Sequence, residues 1–99
     1  MTVRFSWNEA KREKILTDRG FDLLRAARIF RGPVLIEEDD RNDYGETRYV
    51  ALGVAEGEHY TVVFTPRKDP DSGEDVFHLI TAWRMGRGAR RRYRERYPG

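Results

Sequence analysis

The C-terminal segment of this 99-residue chain concentrates side chains that bind phosphate. Seven of the sixteen arginines lie between Arg84 and Arg96, and Glu95 is the one acid among them. A guanidinium keeps its charge at physiological pH and matches a phosphate with two parallel hydrogen bonds. This density predicts a polyanionic partner, with RNA or DNA as the first candidates. The alternative is that the arginines are only the solvated face of a short helix.

The same segment has the periodicity of an amphipathic helix. Its apolar residues recur every four positions, at Met85, Ala89, Tyr93 and Tyr97. This stripe is expected to pack on the rest of the fold and to leave the opposite side in solvent. The solvent side carries Arg84, Arg87, Arg91 and Arg94. Arg87 and Arg91 are therefore RNA-binding candidates; Tyr93 is a third, although core packing is the better interpretation of a tyrosine in the stripe.

Length and composition bound the fold. A chain of 99 residues predicts a single domain, residues 1–99, with one modest core. The charged fraction of 36% nearly equals the apolar fraction of 38%, but twelve aromatic residues supply large side chains that can close a small core. A folded chain is favoured over a disordered one. The absence of cysteine excludes disulfides and thiolate metal sites and is compatible with a reducing compartment.

Several kinds of site and location are not supported by the sequence. No signal peptide or membrane span is recognisable, so we expect a cytoplasmic protein with no membrane partner. His59 and His78 lack zinc-binding spacing, and the acidic block Glu37–Asp43 lacks the ligand pattern of a calcium loop. We therefore predict no metal and no cofactor. The acidic block is interpreted as a solvated loop or as a docking surface for a basic partner.

Helical signals dominate the N-terminal third. Ser6-Trp-Asn-Glu9 has the spacing of a capping box and predicts a helix over about residues 7–19, which Gly20 would end. Asp22 would cap a second short helix that ends at Gly32-Pro33. The apolar face of that helix comprises Leu23, Ala26, Ala27 and Phe30.

After Pro33 the apolar period changes from helical to two. Strands are predicted at residues 34–36, 47–54, 59–65 and 76–83. Glu56-Gly57 predicts a hairpin turn, whereas the acidic block with Asn42 and Gly45, and residues 66–73, predict loops. The result is an α+β fold with two N-terminal helices, a four-stranded antiparallel sheet and an Arg-rich C-terminal helix.

A series of short motifs, taken in order, resembles one known family. The motifs are Phe5-x-Trp7-Asn8-x-x-Lys11, Gly20, Phe30, Gly45-Glu46-x-Arg48, Leu52-Gly53, Thr65-x-Arg67, and Ile80-Thr81-Ala82 before an Arg-rich helix with Tyr93. Over almost the whole chain this order and spacing resemble the BrnT toxins. The chain departs from the usual family residues at Ile15, Arg19, Trp83 and Ala89.

The resemblance implies a compact RelE-like fold and an endoribonuclease that acts on RNA and blocks translation. It also implies a BrnA-type antitoxin that neutralises the toxin and binds operator DNA, so the toxin would reach DNA only through its antitoxin. A dimeric antitoxin makes a two-plus-two complex the natural assembly. The family usually has Arg at Trp83, and Arg84 is the candidate to replace that cation.

Metal-independent RNA cleavage starts with attack of a 2′-hydroxyl on the neighbouring phosphodiester. It requires a base, cations for the charge on the phosphorane, and an acid for the departing 5′-oxygen. Arg48, Arg67 and Arg84 match family positions and are expected to converge on one phosphate. Glu46, two residues before Arg48 on an alternating strand, is a candidate base or, equally, half of an ordinary cross-strand ion pair. His59 is the second candidate base, because its ordinary pKa suits proton transfer.

Two further interpretations stay open at this point. The protein can be a non-catalytic module in which the Arg-rich helix binds nucleic acid or an acidic protein. It can also be a degenerate toxin that is retained for regulation together with its antitoxin.

Overall fold

A five-stranded sheet forms the centre of the protein in a computed structural model, which describes residues 3–41, 43 and 45–99. The strands are β1 Arg4–Trp7, β2 Leu35–Asp39, β3 Arg48–Ala55, β4 Glu58–Lys68 and β5 Asp75–Arg84. Their order in the sheet is β1-β5-β4-β3-β2, with β1 parallel to β5 and the other pairs antiparallel. The predicted α+β class is confirmed, but the sheet has five strands rather than four and is mixed rather than antiparallel.

Within the described ranges, three α-helices and one 3₁₀ turn accompany the sheet. They are α1 Glu9–Arg19, α2 Leu23–Ala26, the 3₁₀ turn Ala27–Arg31, and α3 Arg87–Arg96. None of the described helices is long and apolar enough to cross a membrane. Gly20 ends α1 in the left-handed conformation at φ 77°, and Asp22 caps α2 by accepting a hydrogen bond from the Leu24 amide at 2.9 Å, as predicted.

The start of α1 differs from the prediction. Its cap is Asn8, whose side-chain oxygen accepts a hydrogen bond from the Lys11 amide at 3.1 Å. Ser6 cannot cap the helix because it lies in β1, where it pairs with His78. The strand was missed because its partner lies about seventy residues further along the chain, and local patterns carry no signal of such a pairing.

Two other strands extend beyond their predicted ends. β2 continues into the acidic block, where Asp39 pairs with Arg48, so that part of the block is strand rather than loop. Asn42 of the predicted loop lies outside the described residues. β4 runs through Pro66, which has a partner only on the β5 side because the pairing of β4 with β3 ends at Phe64. A residue without an amide hydrogen is tolerated at such a position.

The two faces of the sheet are covered by different helices. The first three helical segments cover one face, and the largest buried side chains there are Ile15, Leu23, Ile29, Tyr60, Phe64 and Leu79. Helix α3 packs on the other face, where Leu52, Met85 and Tyr93 form a second, smaller core with Val50 and Val54 at its margin. The predicted apolar stripe of α3 is confirmed, and it fixes the helix on the sheet.

Gly53 allows the 3₁₀ turn to approach β3 closely. A Cβ at this position would lie 2.7 Å from the Ile29 Cβ and 3.2 Å from the Val34 Cγ1. Overpacking of this kind costs about 1–3 kcal/mol, so Gly53→Ala is expected to lower the free energy of unfolding by that amount in urea denaturation. Gly32→Ala is the matched control, because a Cβ there meets nothing within 4 Å. Equal effects of the two substitutions would contradict this packing.

Candidate active site

A polar cavity of about 490 Å³ opens between α1 and one end of the sheet. Its walls come from the cap and first turns of α1, the segment before β3, the end of β4 and the first half of β5. The polar side chains of the lining are Asn8, Lys11, Lys14, Glu46, Arg48, Arg67 and His78. Four cations, one carboxylate and one imidazole therefore meet in one open cavity.

The register of the sheet places Arg48, Thr65 and His78 side by side on three adjacent strands. Thr65 of β4 pairs with His78 of β5, and the pairing of β4 with β3 ends beside Arg48, so these three residues form a row across adjacent strands. Thr65 is buried, and its hydroxyl donates to the Thr47 carbonyl oxygen at 2.7 Å. This bond ties the segment that precedes β3, and with it Glu46, to the centre of the sheet.

Glu46 and Arg67 form an ion pair at the cavity, with 3.6 Å between Oε1 and Nη2. Glu46 thus pairs with Arg67 of β4, whereas Arg48, its expected neighbour, lines the same cavity. The two side chains are 33% and 51% exposed, and ion pairs this accessible add little to stability. Glu46 thus holds the Arg67 guanidinium at the cavity, and the stability of the fold does not depend on this ion pair.

His78 is the histidine that the cavity contains. Its Nδ1 lies 2.8 Å from the Ser6 hydroxyl oxygen. In the tautomer whose Nδ1–H donates to that oxygen, Nε2 is unprotonated and can accept a proton. Burial lowers the pKa of His78 below its ordinary value of 6.5 and the charge of Arg67 lowers it further, while Glu46 acts in the opposite direction. The ring is therefore neutral near pH 7, as a general base requires.

Local sequence signals did not indicate Ser6, Lys11, Lys14 or His78 as site residues, and the spacing of His78 only argued against a zinc site. The available signal was the Thr65-x-Arg67 motif, because whatever pairs with Thr65 must lie beside Arg67. Using that signal requires the register of β4 with β5, which shifts at a bulge next to Val63. A bulge of this kind cannot be placed from one sequence.

Two predicted catalytic residues, His59 and Arg84, lie outside the polar cavity. His59 lies near the other end of β4, roughly 26 Å from Arg67 at about 3.3 Å per residue, with its ring 6.2 Å from that of Tyr93. Burial, and then Arg90 and Arg94 on α3, lower its pKa. His59 thus lies outside the polar cavity.

Arg84 also lies apart from Arg48 and Arg67. Its guanidinium donates to the Arg19 carbonyl oxygen at 3.2 Å and lies 5.3 Å from the centre of the Phe21 ring. These contacts are with the last residue of α1 and the segment after it, away from the cavity. The structure therefore does not bring Arg84 together with Arg48 and Arg67.

The candidates on α3 divide into two groups. Arg87 and Arg91 are exposed and line a second cavity, of about 410 Å³. Tyr93 is only 7% exposed, and its hydroxyl donates to the Pro33 carbonyl oxygen at 2.9 Å. Its contacts are those of a packing residue, the better of the two interpretations that its sequence position allowed.

A larger cavity, of about 860 Å³, lies away from these titratable groups. It is mainly apolar, and its aromatic lining consists of Phe5, Trp7, Phe30 and Phe77. Size alone would select this cavity, but it contains no acid or histidine with which to move a proton. The smaller polar cavity is the better candidate for chemistry.

Comparison with known families agrees with the family that the motifs resemble. A family model described as the ribonuclease toxin BrnT of type II toxin–antitoxin systems matches residues 7–88. The chain belongs to the BrnT family. Membership makes it a ribonuclease toxin, with RNA as its substrate and a protein antitoxin as its partner. No curated protein matches the chain.

The match to the BrnT family includes the whole polar cavity and ends within α3. Glu46, Arg48, Arg67 and His78 all lie inside residues 7–88. Arg90, Arg91 and Arg94 lie beyond them, so the family match covers only the first two residues of the Arg-rich helix.

The arrangement of the cavity predicts two opposite changes in the pKa of His78. Arg67→Gln should raise that pKa, because it removes a cation that disfavours the imidazolium, and Glu46→Gln should lower it further, because it removes the favouring carboxylate. NMR titration of the imidazole measures both. Arg31→Gln, which removes a cation that lines the large apolar cavity, is the control; an equal shift in that variant would contradict the proposed proximity of Arg67 to His78.

Proposed function

We propose that this BrnT-family protein is an endoribonuclease that cleaves RNA without a metal ion and thereby blocks translation. The observation that carries the proposal is the meeting of a neutral imidazole with two guanidiniums in one polar cavity. A base and cations are what attack by a 2′-hydroxyl requires. The catalytic residues would be His78, Arg48 and Arg67, with Glu46 as a positioning residue.

Each residue has a defined part in the proposed reaction. The 2′-hydroxyl loses its proton to Nε2 of His78 as the bond between the 2′-oxygen and phosphorus forms. The bond from phosphorus to the 5′-oxygen breaks, and the departing oxygen takes a proton from solvent. Arg48 and Arg67 stabilise the charge that grows on the phosphorane oxygens. The products are a 2′,3′-cyclic phosphate and a 5′-hydroxyl end.

The other groups of the cavity would bind rather than react. Ser6 fixes the imidazole through Nδ1, and Glu46 holds the Arg67 guanidinium. Lys11 and Lys14 line the same cavity from α1, where their ammonium groups can hold the phosphates that flank the reacting one. Most of the contacts are thus with the RNA backbone, which positions a strand but carries no sequence information directly.

The direct test is cleavage of total cellular RNA by the purified protein in the presence of a chelator. New fragments with 5′-hydroxyl ends and cyclic phosphate ends are expected, and adding magnesium should not be necessary. Fragments with 5′-phosphate ends, or activity that the chelator removes, would contradict the proposed chemistry. No cleavage by folded protein would favour a non-catalytic binding module or a degenerate toxin.

The cellular part of the proposal concerns translation and the partner. Production of the protein in cells should stop incorporation of labelled amino acids, and co-production of a BrnA-type antitoxin should restore it. The mass of the purified complex tests the two-plus-two assembly. Operator DNA should be bound by that complex and not by the toxin alone.

A further inference from the structure

Four arginines of α3 surround a cavity in which no described carboxylate neutralises them. The cavity is lined by Met85, Arg87, Arg90, Arg91 and Arg94. Over the described residues, no acid lies within ion-pair distance of any of these four guanidiniums. Two other arginines of the helix differ: Arg92 pairs with Glu37 at 3.3 Å, and Arg96 lies 4.7 Å from the centre of the Tyr97 ring.

The helix holds these four cations on one side. Spacings of three and four residues place them along one stripe, opposite the side on which Ala89 and Tyr93 pack against the sheet. Four like charges repel one another when nothing neutralises them, and a fixed group of cations raises the local concentration of anions. The arrangement therefore favours a ligand with several negative charges.

Arg48 of the polar cavity lies on the face of the sheet on which α3 packs. Alternate residues of β3 share a face: Arg48 lines the catalytic cavity, whereas Val50, Leu52 and Val54 pack under α3. The separation can be estimated along β4, because Arg90 and Arg94 are close enough to His59 to lower its pKa, and Arg67 lies at the far end. At about 3.3 Å per residue this is roughly 26 Å.

We propose that the four-arginine cavity is a second phosphate-binding site, which holds single-stranded RNA several nucleotides away from the phosphate that is cleaved. The inference rests on the proposed function for its first site. Three of the four arginines lie beyond the residues that the family model matches, so the site is a property of this chain's own C-terminal helix. Its lining has four guanidiniums and one thioether, which suits a phosphate chain better than an amphipathic protein helix.

Binding of an oligonucleotide that cannot be cleaved tests this site independently of catalysis. Fluorescence anisotropy with 2′-deoxy strands of about four and about sixteen nucleotides spans the usual site sizes of single-strand-binding folds. The double variant Arg90→Gln/Arg94→Gln should raise the Kd of the long strand about tenfold, since each contact between exposed ions is worth up to roughly fivefold. The slope of log K against log salt should fall by about 1.4, at about 0.7 per contact. The short strand should be unaffected.

The matched control is Arg92→Gln/Arg96→Gln, which removes two charges from the same helix outside the cavity. An equal loss of affinity for the long strand in that control would overturn the proposal, and so would unchanged affinity in the cavity variant. A cavity variant that loses affinity only for an acidic peptide would also overturn it. Cleavage assays separate the two proposals. If RNA is cleaved, the cavity variant should raise KM for long RNA and leave kcat unchanged. If RNA is not cleaved but the length dependence of binding is found, the second site stands and the proposed chemistry fails.

Discussion

Replacing Arg67 with Gln is expected to lower kcat for RNA cleavage about 10²–10³-fold, the usual effect of removing one donor to transition-state charge. The charge on the phosphorane oxygens develops as the 2′-oxygen attacks, so the guanidinium interacts most strongly with the transition state. KM should change little, because Arg48, Lys11 and Lys14 line the same cavity and still bind the ground-state phosphates. Steady-state kinetics on a labelled oligoribonucleotide measures both parameters.

The fold should survive this substitution, because Arg67 is half exposed and its ion pair with Glu46 is accessible to water. Urea denaturation of the variant checks this point. Arg31→Gln removes the same charge at the large apolar cavity and is expected to leave kcat unchanged. A rise in KM at constant kcat in the Arg67 variant would instead identify a residue that only binds, as in a non-catalytic module.

Replacing Glu46, the ion-pair partner of Arg67, extends this experiment. Glu46→Gln is expected to lower kcat less than Arg67→Gln does, because the carboxylate acts by holding the guanidinium. The effects of the two substitutions should not be additive, because Glu46 has no guanidinium to hold once Arg67 is replaced. Additive effects would show that Glu46 has a separate part in the reaction, for example as the base that the sequence also allowed.

Local sequence signals predicted much of the fold. Gly20 and Asp22 mark the helix boundaries because left-handed backbone and capping are properties of single residues. The Glu56-Gly57 turn is also confirmed, with φ angles of 52° and 81° that match the mirror-image turns of hairpins. What was missed depends on distant partners. β1 exists because Phe5 pairs with Phe77, and nothing within a few residues of Phe5 indicates that strand.

The site was predicted only in part, because some of its residues are brought in by partners that are distant in the sequence. Glu46, Arg48 and Arg67 were found through motifs, and all three line the cavity. Arg84 lies outside that cavity because neighbouring strand residues point to opposite faces: Trp83 faces the side on which α3 packs, and Arg84 faces the helices on the other side. His78 enters the site through strand register, including a bulge, which one sequence does not determine.

His78 also gives the second large effect, because the loss of a general base typically costs about 10²–10⁴-fold. His78→Gln should therefore lower kcat within that range. His59→Gln is the matched control, since that histidine lies near α3 and outside the cavity, and it should cleave RNA as the wild type does. Both variants lose one imidazole, so overall charge and chemistry are equal and only position differs.

The pH profile identifies the acting group more sharply than the size of the loss. A base must be unprotonated, so wild-type kcat/KM should rise with pH through the pKa of His78, below 6.5, and level off above it. Arg67→Gln should move the midpoint of the residual activity to higher pH, because that cation lowers the pKa. The rise should disappear in His78→Gln and persist in His59→Gln. If the rise instead persisted in His78→Gln and disappeared in Glu46→Gln, the proton would be taken by the carboxylate, and His78 would be a binding residue.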